Sequence, residues 1–92
     1  MAFGIGEAVQ AMKDGHRVAR EGWNGKGMFL FYNPGSYVPV SEGRPLSFGL
    51  EVGQMVTMSP YIMMKTADEE TTCVPWLCSQ TDLLAEDWEV VR

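Results

Sequence analysis

The sequence predicts an α+β fold, in which one N-terminal helix packs on an antiparallel sheet of about five strands. Three observations predict it. Apolar residues recur with helical spacing in one segment near the N-terminus. The rest of the chain divides into short strand-like runs separated by glycine, proline and asparagine turn signals. Repeated strand-helix alternation, which a parallel sheet would require, is missing. At 92 residues the chain is expected to be a single domain, residues 1–92.

The elements follow in order. Ile5, Ala8, Val9 and Met12 stand at i, i+3, i+4 and i+7, so about Gly4 to Asp14 reads as an amphipathic helix stopped by Gly15. His16 to Arg20 reads as a short strand, Glu21 to Gly27 as a glycine-punctuated turn or wide loop, and Met28 to Tyr32 as a strong strand ended by Asn33-Pro34-Gly35. Residues 36–53 carry prolines, glycines and serines without a clear period, and are expected to be a long excursion. Gln54 to Met58 and Tyr61 to Thr66 read as strands around Ser59-Pro60, and an acidic turn from Ala67 to Thr71 makes a hairpin of Tyr61 to Thr66 with Thr72 to Leu77. Ser79-Gln80-Thr81-Asp82 has the form of a helix-start box, giving one helical turn over Thr81 to Ala85, and Trp88 to Val91 alternates as a last strand.

Composition narrows the function. Hydrophobic residues make up 46% of the chain, with three Trp, three Tyr, four Phe and seven Met. A domain that buries somewhat over ~60% of its unfolded surface hides so much apolar area with difficulty, and self-association is the natural outlet. Two cysteines are too few for a secreted disulfide scaffold, and the N-terminus lacks a basic region followed by a long apolar stretch, so a cytoplasmic location is expected. No apolar run approaches the ~20 residues that cross a bilayer. The net charge of −5 argues against DNA or RNA polymers, whose binding draws on phosphate neutralisation. Only residues 1–26 hold a positive surplus, with Lys13, Arg17, Arg20 and Lys26 against Glu7, Asp14 and Glu21.

Catalytic chemistry finds little support. His16 is the single histidine, which excludes multi-histidine metal sites, and zinc would need Cys73 and Cys78 plus two weaker ligands. The two thiols are expected to be reduced, one or both packed against the sheet. No nucleophile elbow, phosphate-cradling loop or dinucleotide fingerprint occurs. Asp82 and Asp87 could form a carboxylate pair, but acids in a capped turn more often cap the helix or face solvent. The chain is read as a non-enzyme with no cofactor.

A small anionic ligand is better served. Nucleotide binding needs a flat apolar face, groups that bond a base edge, and positive charge or free backbone N–H groups for phosphates. Trp23 offers the face and Asn24 the edge; Arg17, Arg20 and Lys26 offer charge, while Gly22, Gly25 and Gly27 let the backbone come close. Equally, Trp23 could anchor a core or interface, and Asn24-Gly25 is the commonest two-residue hairpin turn.

Four blocks carry a family resemblance: Glu7-Ala8-Val9 with Met12-Lys13 and Gly15; Arg17-Val18 with Arg20 and Gly22-Trp23-Asn24-Gly25-Lys26-Gly27-Met28; Met64 to Asp68; and Trp76-Leu77 with Ser79-Gln80-Thr81-Asp82-Leu83-Leu84-Ala85, Asp87 and Trp88. In combination they resemble the phage-encoded Thoeris anti-defence sponge proteins of the second type, nearly end to end, with little resemblance from Asn33 to Val56. The resemblance implies a phage protein in the host bacterial cytoplasm that captures the cyclic ADP-ribose signal of a TIR-domain enzyme and holds it uncleaved. It also implies a homotetramer with nucleotide pockets between protomers, and some relatives hold cyclic oligonucleotides of cGAS-like systems as well. Side-chain chemistry then gives Trp23 a base to stack on, Asn24 and the Gly25 backbone its edge, Lys26 and Arg20 the phosphates, and Thr81 with Asp82 the ribose hydroxyls across a protomer boundary. The competing readings are a cyclic nucleotide hydrolase and a structural or protein-protein interaction module of a phage.

Overall fold

The computed structural model describes residues 2–23, 27–68 and 70–91. The N-terminal periodicity becomes α1 (Ile5–Lys13), which buries Ala8 and Met12 completely. Its end is set by the backbone. Gly15 takes φ +98°, its N–H reaches the Met12 carbonyl, and the His16 N–H reaches back to Ala11, both at 3.0 Å. This is the left-handed glycine closure that satisfies the last carbonyls of a helix.

The strands are β1 (Arg17–Arg20), β2 (Phe29–Asn33), β3 (Ser36–Pro39), β4 (Met55–Met58), β5 (Tyr61–Lys65), β6 (Cys73–Pro75) and β7 (Trp88–Val91). Five of them form one antiparallel sheet in the order β6-β5-β2-β1-β7. The fold is therefore α+β, with the helix and five-stranded sheet that the sequence predicts. Alternation divides the sheet residues between two faces. Val18, Leu30, Met64 and Val90 turn toward α1, and the core is Ala8, Met12, Val18, Leu30 and Trp88. Arg17, Phe29, Phe31, Met63 and Lys65 fall on the opposite face, and no described helix lies over it.

Residues 36–53 differ from expectation. They are no structureless excursion, because β3 pairs with β4 in a separate two-stranded sheet, with a 3₁₀ turn over Pro45–Phe48 between them. The pairing partners lie between 16 residues (Pro39 and Met55) and 22 residues (Ser36 and Met58) apart in sequence, so the ladder leaves no local period to read. Its start needs a glycine: a Cβ on Gly35 would stand 2.5 Å from the Met58 carbonyl oxygen. Val40 is buried, but Tyr37 and Phe48 are 67% and 84% exposed, so this arm stands off the main sheet. The Cα radius of gyration, 16.0 Å, accordingly exceeds the ~12 Å of a compact chain of this length.

The other hairpin is as expected. β5 pairs with β6 across the acidic turn, where the Asp68 carboxylate accepts hydrogen bonds from the hydroxyls of Thr66 and Thr72 and from the Thr72 amide. Those donors hold its pKa down at about 2. Cys73 and Cys78 are both free thiols, but neither is packed away as expected. Cys73 lies on the edge strand and Cys78 just beyond it, and both are exposed. The helical turn α2 (Gln80–Leu83) is capped by Ser79, whose hydroxyl accepts from the Asp82 amide at 3.1 Å. No described helix is long and apolar enough to cross a membrane.

Candidate ligand site

The sheet's β1-β7 edge brings distant residues together. Arg20 ends β1, and the chain turns there, with the Trp23 amide donating to the Arg20 carbonyl at 3.1 Å and the Glu21 amide to Asp87 at 3.0 Å. The Arg20 guanidinium donates from Nε to Asp87 at 2.8 Å and from Nη1 to Asp82 at 2.9 Å. These two bonds raise its pKa further above the ordinary arginine value.

Behind this ion pair stands a row of indoles. Trp88 is wholly buried and donates its Nε1–H to the Asp82 carbonyl at 3.0 Å. Half-buried Trp23 meets it edge-on with ring centroids 5.2 Å apart, and Trp76 meets it edge-on at 5.9 Å. Both separations are favourable for T-shaped aromatic pairs. Trp76 also forms one wall of a cavity of about 420 Å³ beside α1, with Val9, Lys13, Tyr32, Ile62 and Cys78 among its other linings. Trp23 is not on that wall.

The sequence-predicted site residues therefore separate into three groups. Arg20, Trp23 and Asp82 are brought together, with exposed Thr81 one residue from Asp82 on α2. Arg17 is not with them. It lies on the other face of β1, with its guanidinium carbon 5.1 Å from the centre of the Phe29 ring. Asn24, Gly25 and Lys26 lie outside the described residues.

The sequence that makes this site is similar to known proteins. Residues 3–91 match the family described as Tad2-like, Thoeris anti-defense 2-like domain. The chain is also similar to the protein Thoeris anti-defense 2 of Bacillus phage SP01, at 40% identity over 90 residues, covering 95% of this chain and 92% of that protein. The chain belongs to the Thoeris anti-defense 2-like family.

Within this family member, three contributions escape sequence reasoning. Asp87 reads from sequence as half of a carboxylate pair, whereas it shares one guanidinium with Asp82. Trp88 reads as a strand residue, and only its zero exposure reveals it as the hub of the indole row. Lys65 carries no sequence signal of its own. It lies directly across from Phe29 in the β2–β5 register, with its Nζ 3.5 Å from where a Cβ on Gly27 would stand. Its place in the Met64 to Asp68 block was the one available hint.

Proposed function

We propose that this protein is a phage anti-defence sponge: it binds the cyclic ADP-ribose-type signal of Thoeris immunity in the bacterial cytoplasm, as a homotetramer, and retains it unchanged. The observation that carries the reading is the Arg20–Asp82 contact at 2.9 Å. It fastens the Arg17 to Met28 block to the Trp76 to Trp88 block, the two segments most specific to the family resemblance, although the paired residues stand 62 positions apart. Family membership over nearly the whole chain supports the same conclusion.

The residues suit retention. Asp82 and Asp87 are both engaged by one guanidinium, an arrangement that favours holding a shape over exchanging protons with a substrate. Arg20 commits Nε and Nη1 to these carboxylates, and among the described residues its Nη2 has no partner, which suits it to a phosphate oxygen. Trp23, three residues from Arg20 and only partly buried, supplies an aromatic surface. Sequestration then needs only mass action, since a signal at about 100 times Kd is almost wholly bound.

The test has two arms. The protein is incubated with a glycocyclic ADP-ribose, heat-denatured, and the released nucleotide assayed for activation of the Thoeris effector: full recovery is expected, and loss of activity would establish hydrolysis. Isothermal titration of Trp23→Ala and Lys26→Ala variants should show weakened binding, and unchanged affinity in both would remove these residues from the site. Cyclic dinucleotides titrated in parallel decide whether a second signal class is held.

A further inference from the structure

The sheet face opposite α1 is built for recognition. α1 packs on β1, β2 and β7 through the Val18–Leu30 face, and Asp82 of α2 bonds Arg20 on that same face. The opposite face presents Phe29 and Phe31, with ring centroids 6.2 Å apart, on the central strand of the sheet. Both rings are half-buried, so flat aromatic surface remains open to solvent.

Two cations bracket these rings. The Arg17 guanidinium carbon stands 5.1 Å from the Phe29 centroid, from the β1 side. Lys65 is the cross-strand partner of Phe29 from the β5 side. Neither pairs with a described carboxylate. Among the described residues, Asp68 feels the charge of Lys65 but has its oxygens already occupied by Thr66 and Thr72, and Glu89, opposite Ala19, is an acid on this face. In a chain of net charge −5, two such cations beside a pair of phenyl rings form a local positive site.

Gly27, two residues before Phe29, comes close to this same face. Gly27 has φ +87°, a left-handed conformation that disfavours side chains, and a Cβ there would stand 3.5 Å from the Lys65 ammonium, in ordinary contact. Flat apolar surface next to paired positive charge is the chemistry that recognises a base joined to phosphates.

We infer that the Arg17–Phe29–Lys65 face binds the phosphates and a base of a pyrophosphate-bearing nucleotide, with Phe29 and Phe31 as the stacking platform. This rests on the sponge reading and moves part of the recognition to residues beyond Trp23 and Asp82. Arg17 and Lys65 grip from either side of the ring, with Gly27 beside Lys65.

The test is isothermal titration of glycocyclic ADP-ribose into wild type, Lys65→Gln, Arg17→Gln and Phe31→Leu. Each substitution is expected to weaken binding about tenfold or more, and Lys65→Arg should restore most of it. The dependence of affinity on salt should become shallower for each cation removed, which a loss of folding alone would not produce. Wild-type binding with all three variants within twofold overturns the inference and leaves the sponge reading intact. Altered sedimentation with unaltered affinity also overturns it, because the face would then be covered by a second copy. No binding by wild type overturns both.

Discussion

The indole of Trp88 and the main chain of Asp82 are joined by a hydrogen bond of 3.0 Å between a fully buried side chain and a surface helical turn. A turn as short as α2 has no stability of its own, so it takes its position from this bond and from the Ser79 cap. Replacing Trp88 with Phe removes the donor, leaves the Asp82 carbonyl without it and opens space in the core. A destabilisation of about 2–4 kcal/mol is expected, read as a lowered midpoint in urea unfolding with unchanged slope.

Arg20 supplies the second fastening. Because one guanidinium serves two carboxylates, Asp82→Asn and Asp87→Asn should each lower the thermal midpoint, and neither should lower it much further once Arg20 is Gln. Additive losses across this double-mutant cycle would show that the shared guanidinium carries no coupling in solution.

Acid should weaken the β5–β6 hairpin in a defined window. The folded Asp68 carboxyl titrates at about 2, below its ordinary value near 3.8, so its contribution is complete above the ordinary value and is lost as pH falls toward 2. Asp68→Asn is expected to flatten the stability profile between about pH 4 and 2 relative to wild type, measured by urea unfolding at stepped pH.

Gly35 offers a steric test. Gly35→Ala would press a methyl group to 2.5 Å from the Met58 carbonyl oxygen, a backbone atom that cannot swing aside. A loss of about 1–3 kcal/mol, or separation of the β3–β4 arm, is expected. Amide exchange at Val38 and Val56, which face each other in that ladder, distinguishes a detached arm from global destabilisation.

How much was legible in the sequence depended on range. α1, its glycine stop, the Ser79 cap and the hairpin at Asp68 are local signals, set by residues within a turn of each other, and sequence reading found them. The β3–β4 ladder escaped because its partners, such as Ser36 and Met58, meet only in three dimensions. The site divides in the same way. Trp23, Arg20 and Asp82 each had chemistry visible in the chain, but that Arg20 and Asp82 would answer each other across 62 positions was not encoded in any spacing. Lys65 and Phe29 became neighbours through strand register alone.

One-sided packing has a consequence for how this protein can change. Val18 and Leu30 anchor the interior, while their immediate neighbours Arg17 and Phe29 point to the other side of the same strands. Substitutions at adjacent positions therefore have different physical consequences. Mutation can remodel what the open side contacts, residue by alternate residue, while the half that keeps the chain folded stays as it is.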